Sequence, residues 1–507
     1  MITVIKNAHI LTLDKHDREI ADGDLVVEGS KIVQLGEGVA ARYEHKANRV
    51  IDARGLLVMP GLVNGHFHST SAFMKGAFEG APLEPYMLYE FPIGGFAHQP
   101  RLYYLRAMLA SIELLKQGVT AVRDDVHFFG NPTDVGAASI LEAYREAGIR
   151  ASVGFGIANV IEYDKLPYLK ELLTAEQRAA MAAEQLVSTE DIIAFYERLF
   201  ANWHHSHEGR LTIHVSCSAP QRVTPETMQA LSALAAKYDV SFDMHILETK
   251  TQRLLGNEKY GKSLVHYVND LGVLNDHAVV IHGVWLDEQD MALIAEAGAV
   301  IAHNPVSNLK LGSGVMPFAK IMAHDIPICL GTDEASADDG TNLWLNAKMG
   351  ALLQKIGDLE YRDWPPAAAY LDAMCRGGAR ALRREQQSGC LAVGRDADLI
   401  MLDLNSLAFT PLNHLKRQLV FAENGRSVVL TMVAGEIVCE NQQMKRVDEE
   451  AIKGEIRQLM PQYRAVCDAA NREADQLSLA YRQTYLKAAK QDVGFSRWLA
   501  QPPLPED

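Results

Sequence analysis

Strand-like runs alternate with amphipathic helical runs across residues 59–385, and this alternation limits the possible folds more than any other property of the chain. Leu102 to Lys116 reads as helix and precedes the apolar run Val119-Thr120-Ala121-Val122; Pro225 to Lys237 reads as helix and precedes Ser241 to Met244. Parallel strands need a crossover between neighbours, so a repeat of this kind predicts a (β/α)8 barrel with insertions. An open doubly wound sheet is the competing fold, but no G-x-G-x-x-G follows the first strands.

In a barrel of this type the chemistry stands at the C-terminal ends of the strands. His66-Phe67-His68 follows the apolar run Leu56 to Met59 and the turn Pro60-Gly61. Residues i and i+2 of a strand share a face, so the two imidazoles leave it together, spaced to hold one metal ion. The same grammar recurs at Phe242-Asp243-Met244-His245 with Glu248 three residues on, at Val279-Val280-Ile281-His282, and at Ile328-Cys329-Leu330-Gly331-Thr332-Asp333. A second H-x-H, His205-Ser206-His207, lies in a polar stretch before a strand and reads as solvated loop.

Residues 1–58 and 386–446 share a different texture, short strands broken by turns, and predict one small β-sandwich domain built from both chain ends. Residues 447–507 read as a helical extension rich in Glu, Gln, Arg and Ala, packed on the barrel exterior or on another subunit and without a catalytic part.

A net charge of −15 with no basic stripe argues against a nucleic-acid partner. No run of 18 apolar residues and no secretory signal pattern is visible, so no membrane partner is expected. The six cysteines are scattered without C-x-x-C spacing, which reads as reduced thiols in a cytoplasmic protein.

The motifs Pro60-Gly61-Leu62-Val63-Asn64-Gly65-His66-Phe67-His68, His245-Ile246-Leu247-Glu248-Thr249, Ile281-His282-Gly283, His303 to Gly314 and Leu330-Gly331-Thr332-Asp333 together resemble the amidohydrolase superfamily. Within it the likeness is to the branch of triazine hydrolases, chlorohydrolases and N-heteroaromatic aminohydrolases. It runs from about residue 1 to 440, with Gly394-Arg395-Asp396-Ala397-Asp398-Leu399 as the return into the family's β-domain.

The resemblance implies one divalent metal ion per subunit, zinc first and iron second, held by His66, His68, His245 and Asp333. Three imidazoles and a carboxylate suit a borderline metal and leave room for an activated water. Asp333 would accept the water's proton, His282 would orient the nucleophile, and Glu248 would pass a proton to a ring nitrogen. The fourth strand, Leu211 to Cys217, lacks the lysine that dinuclear members carboxylate, which favours one metal over two. His214 on that strand reads as core.

For the substrate, the resemblance and the residues implicate His303, Glu334, Met74, Tyr86 and His127. Two readings stand for His303, a substrate contact or a pin for the following loop. Asn304, Ser307 and Asn308 read as loop-ordering residues. Asp124, Asp125 and His127 either line the pocket or cap a loop, and His98 in the stretch after Ile93 is a candidate lid residue. Glu334 and the pair Asp338-Asp339 add negative charge that would favour a cationic or amino-bearing ligand.

The expected activity is hydrolytic deamination of an amino-substituted N-heteroaromatic compound, a small-molecule substrate. Chloride, an alkylamine or a cyclic amide nitrogen are alternative leaving groups, and a barrel scaffold without chemistry is the remote alternative. The family also implies a homo-oligomer, dimer or tetramer.

Overall fold

The computed structural model describes residues 1–90, 99–127, 132–357 and 360–499. His98 lies outside the described residues. Eight strand positions follow one another around a barrel: β1 (Leu62–His68), β2 (Val119–His127), β3 (Arg150–Gly156), β4 (Leu211–Ile213 and Val215–Ser216), β5 (Phe242–Ile246), β6 (Ala278–His282), β7 (Val300–His303) and β8 (Ile328–Leu330 and Asp333–Glu334). Every pairing between them is parallel. The first piece of β4 pairs with β3 and the second with β5. In the same way the first piece of β8 pairs with β7 and the second with β1, which closes the ring.

The strands are buried on both faces, and helices cover the outside. Helix Pro100–Lys116 starts with Pro at its first turn, where a missing N–H costs nothing, and helix Glu288–Ala297 carries a full capping box on Asp287. Ring closure depends on one tight approach. A Cβ at Gly65 would stand 2.5 Å from Cys329 Sγ, so β1 packs this close to β8 only because residue 65 is glycine. Beside it Asn64 Nδ2 donates to Thr332 Oγ1 (2.8 Å), and the Thr332 N–H donates to the His66 carbonyl (3.0 Å).

Both chain ends enter one nine-stranded sheet, joined where Leu56–Pro60 pairs antiparallel with Leu399–Asp403. Ile2–Leu11 is a single strand, with a register shift where Asn7 takes a positive φ. One face of the sheet gathers Ile10, Leu25, Val58, Leu399, Met401 and Met432 into a core of its own. Arg150 of β3 ties the barrel to this sheet by donating to Asp398 from Nε (2.9 Å) and Nη2 (3.1 Å).

The C-terminal extension does more than cover the exterior. Helix Glu449–Ala474 lies along helix Pro100–Lys116, with Lys116 Nζ 2.8 Å from Glu449 and the Arg106 guanidinium donating to Tyr463 Oη (3.0 Å). The chain then turns back, and helix Ser478–Lys490 packs on Leu83–Tyr86 and on Lys250–Tyr260, both at the barrel mouth. All six cysteines are free, five of them buried. No helix among the described residues is long and apolar enough to cross a membrane.

Candidate active site

Four side chains from β1, β5 and β8 meet at the mouth: His66, His68, His245 and Asp333 each offer one ligand atom, all within 4.8 Å of one another. Asp333 Oδ1 is 3.3 Å from His66 Nε2 and 3.2 Å from His68 Nε2. His68 Nε2 and His245 Nε2 stand 3.3 Å apart.

The outer partners fix which nitrogens face inward. His68 Nδ1–H donates to the Asp125 carbonyl, and the Ser218 carbonyl accepts both the backbone N–H (2.7 Å) and the Nδ1–H (2.6 Å) of His245. With both rings neutral, the two Nε2 atoms are left as lone-pair donors that point at each other, an arrangement that a cation between them would satisfy. His66 is fully buried and neither of its ring nitrogens makes a hydrogen bond. Two bonds of about 2.0–2.1 Å meeting at a tetrahedral angle hold their ends roughly 3.3–3.4 Å apart. The observed separations match that edge, so these residues fit a single divalent metal ion.

Electrostatics points the same way. Burial lowers the proton affinity of His68, but the hydrogen bond to Asp333 and the charges of Glu334, Asp333 and Asp125 outweigh it and lift its pKa to about 10. The cluster draws a positive charge to this point. Burial, followed by the neighbouring His68, lowers His66 to about 4.

His282 and Glu248 stand beside this group. His282 Nε2 is 3.5 Å from Glu248 Oε2 and 3.9 Å from Asp333 Oδ2, and its Nδ1–H donates to Asn308 Oδ1 (2.9 Å). The Glu248 backbone N–H donates to Gln252 Oε1 (2.8 Å). Burial, and after it the charges of Asp333 and Glu84, push the Glu248 carboxyl well above its usual range. His282 and Asp333 both have positive φ, 73° and 61°. Such backbone in a non-glycine residue costs about 1–3 kcal/mol and persists only where the surroundings hold it.

A pocket of about 380 Å³ opens over these groups, lined by His68, His127, His245, Glu248, His282, Asp333, Glu334 and Tyr86 among others. Glu334 Oε2 accepts from Tyr86 Oη (3.3 Å) and from Ser336 Oγ (3.2 Å), and its Oε1 is 3.7 Å from His127 Nδ1. Burial lifts the Glu334 carboxyl to about 7.

Two expected substrate residues lie elsewhere. Met74 packs with Leu102 and Tyr463, its sulfur 3.5 Å from the Tyr463 hydroxyl, because the C-terminal extension supplies an apolar partner on that side. His303 is buried near Phe318 rather than in the pocket wall, and its carbonyl accepts from the Gly331 N–H (3.0 Å). Asp124 is a capping residue: it accepts from the Ser69 N–H and from Tyr144 Oη, both at 2.8 Å. His205 and His207 are exposed, as expected of a solvated loop. His214 is buried, 3.2 Å from Asp243, which also pairs with Arg123 inside the barrel.

Sequence reasoning missed three kinds of site residue. Ser307 and Asn308 do order a loop, but their side chains bond directly to Asp333 and His282. Arg222 lines the pocket from the turn Pro220–Arg222 that follows β4, a strand-end position that was its one available signal. Leu83, Met87, Glu90, Gln252 and Leu311 complete the wall, and of these Leu311 falls within the motif His303 to Gly314.

The amidohydrolase family model matches residues 57–438. A 5′-deoxyadenosine deaminase of Methanosarcina acetivorans is 29% identical over 90% of this chain and 96% of its own. A 5-methylthioadenosine/S-adenosylhomocysteine deaminase of Nitratidesulfovibrio vulgaris is 31% identical over 90% of this chain and 96% of its own. Among solved structures, an adenosine deaminase of Xanthomonas campestris with bound zinc has a TM-score of 0.81 at 24% identity, over 91% of this chain and 98% of its own. An atrazine chlorohydrolase of Arthrobacter aurescens complexed with zinc has a TM-score of 0.82 at 24% identity, over 90% and 100%. At that identity these structures speak for the fold.

Proposed function

The chain belongs to the amidohydrolase family, and we propose that it hydrolyses the exocyclic amino group of an adenosine-like N-heteroaromatic compound, releasing ammonia. One observation carries the reading: four ligand atoms lie within 4.8 Å of one another, three of their separations at tetrahedral-edge spacing, in a pocket that also holds Glu248 and His282. The deaminases of 5′-deoxyadenosine and of 5-methylthioadenosine/S-adenosylhomocysteine, alike over nine-tenths of the chain, support the substrate class.

His66, His68, His245 and Asp333 hold one divalent ion, zinc before iron. When bound, that ion supplies an activated water at neutral pH. Asp333 turns Oδ1 toward the imidazoles and keeps Oδ2, steadied by Ser307, toward His282, where it can take up a proton. His282, its ring fixed by Asn308, orients the attacking group. Glu248 delivers a proton to the ring nitrogen as the aromatic C=N is attacked. Glu334, with Tyr86 and His127 beside it, reads an amino, amidine or guanidine group of the ligand. A second trio, His68, His127 and Glu334, also brings ligand atoms together. Its His68 has only one nitrogen free of the Asp125 carbonyl, which favours one ion over two.

The same reading divides the chain into a barrel at 59–385, a β-sandwich-type domain at 1–58 with 386–446, and an extension at 447–507. It includes a homo-oligomer in the cytoplasm, for which the exposed Leu345, Leu352 and Ile356 on one face of helix Leu343–Gly357 offer support.

The test is an ammonia-release screen of the metal-loaded enzyme across adenosine-like nucleosides, purines, pterins, pyrimidines, triazines and guanidines, with His245→Ala as the inactive control. Ammonia from an amino-purine is the expected result. Chloride or a ring-opened acid as the product overturns it in favour of another leaving group, and no product from any class favours a scaffold.

A further inference from the structure

Glu84 is the second residue of the short helix Leu83–Tyr86, on the segment that follows β1, and it is only 3% exposed. Burial pushes its carboxyl above the usual range, so an apolar side chain would fill this place at lower cost. Its Oε1 accepts from the Thr249 hydroxyl at 2.8 Å. Thr249 comes directly after Glu248 in the chain.

A hydroxyl has one proton to give. Because Thr249 gives it to Glu84, a lone pair is left to accept the Gln252 N–H (3.3 Å), the cap that starts helix Lys250–Tyr260. Gln252 Oε1 in turn accepts from the Glu248 N–H (2.8 Å). Three bonds therefore run from Glu84 through Thr249 and Gln252 to the backbone of Glu248, whose Oε2 is 3.5 Å from His282 Nε2. Without the Glu84 acceptor the Thr249 hydroxyl can rotate, and the series loses its outer anchor.

The C-terminal extension closes over this junction. Helix Ser478–Lys490 packs on both elements that the Glu84–Thr249 bond joins, Leu83–Tyr86 and Lys250–Tyr260. Lys250 Nζ donates to the Ala489 carbonyl (2.9 Å), and the Trp498 indole N–H donates to the Gly312 carbonyl (2.9 Å). Glu84 and Thr249 are both buried, so little solvent competes for their bond.

We propose that Glu84 is a positioning residue of the active site: through Thr249 it holds Glu248 where its carboxyl reaches both His282 and the ring under attack. Tyr86 of the same short helix meets Glu334 (3.3 Å), so one segment steadies two carboxyls of the pocket. The inference rests on the reading of Glu248 as the proton donor. Such a donor acts only within hydrogen-bond reach, and a misplacement of about 1 Å can cost roughly 100-fold in rate.

The full-length, metal-loaded enzyme tests it with Glu84→Met and Thr249→Val, which delete the bond at similar volume, and with Glu84→Gln and Thr249→Ser, which keep it. The probe is 5′-deoxyadenosine, or the compound of the ammonia screen with the fastest turnover. In Glu84→Met and Thr249→Val kcat falls about 10- to 100-fold while KM stays within about twofold. Glu84→Gln and Thr249→Ser hold kcat within about threefold of the wild type, and metal content is unchanged throughout. The double variant, Glu84→Met with Thr249→Val, falls no further than the less active single one, as one shared bond requires. Equal losses in Glu84→Gln and Glu84→Met, no loss in either, a rise in KM matching the fall in kcat, or losses that multiply in the double variant overturn the positioning role and leave the deaminase reading standing. A product other than ammonia rejects that reading instead and leaves the comparison of variants valid. If the wild type turns over nothing, both fall. Melting temperatures accompany the kinetics: where Glu84→Met melts early, Glu84→Leu replaces it, and if both melt early the bond serves stability alone and the positioning role falls.

Discussion

The Ser307 hydroxyl donates to Oδ2 of Asp333 at 2.5 Å, while Oδ1 of the same carboxylate faces His66 and His68. Each oxygen of Asp333 therefore has a separate partner, and the side chain cannot rotate without losing both. Ser307→Ala frees one oxygen without removing any ligand atom. We expect kcat to fall about 10- to 100-fold with metal content unchanged, since outer partners of metal ligands usually matter to this extent. Steady-state kinetics beside elemental analysis checks it; a matching loss of metal would refute the division of roles.

His245 is held by two hydrogen bonds to a single carbonyl, that of Ser218. His245→Ala removes one of four ligand atoms and should leave the purified protein with less than about half an equivalent of metal. Adding zinc should raise the wild-type melting temperature after chelation, and should raise that of the variant far less. Equal stabilisation of the two would mean that the ion sits elsewhere.

Glu334 lies against Tyr86, Ser336 and His127 with its carboxylate in the pocket. Glu334→Gln keeps the shape and removes the charge. Binding of a positively charged or amidine-bearing ligand should weaken about tenfold, one lost charge-assisted hydrogen bond, with neutral analogues unaffected. Competition assays with matched charged and neutral inhibitors decide it, and an equal loss for both contradicts the assignment.

Arg150 and Asp398 join barrel to end-sheet and are both buried. Arg150→Ala leaves Asp398 buried without the cation it pairs with and should cost about 3–5 kcal/mol. Chemical denaturation measures it; a change under about 1 kcal/mol would show that the pair is not a structural tie.

Asp396 adds a pH dependence at the same junction. Burial raises its pKa, but the Arg150 charge, the Lys31 hydrogen bond (2.6 Å) and the Arg384 charge together hold it below the ordinary value. A depressed carboxylate contributes stability that is complete above its unfolded pKa, about 3.9, and that is lost as pH falls through the lower folded value. Asp396→Asn should lower the melting temperature at neutral pH and narrow its gap to the wild type as the solution is acidified below about pH 4. A gap constant across that range would assign the effect to packing.

Much of the site was legible because its code is local. The period of two in His66-Phe67-His68, and a polar residue closing each apolar run at 245, 282 and 333, are properties of neighbours in the chain, and neighbours set strand geometry. The same local signals predicted the barrel's strands and helices and drew the two ends together as a β-sandwich domain, where the structure has one nine-stranded sheet. They could not place Met74, because the partner that draws it away, Tyr463, is 389 residues distant. Nor could they place Arg222, whose turn reads like any other.

The amino-acid sequence alone picked out His66, His68, His245, His282 and Asp333 as candidate site residues at strand ends. Only the tertiary structure decided that they meet: closing the ring brings Asn64 to Thr332 across 268 residues, and with them His66 and His68 to Asp333. It likewise decided the left-handed backbone at His282 and Asp333 and the return of Trp498 to the mouth. Strand period and capping are fixed by short-range sterics and hydrogen bonds. Ring closure and the docking of the extension come from packing between distant segments, whose favourable burial exists only once the whole barrel has formed.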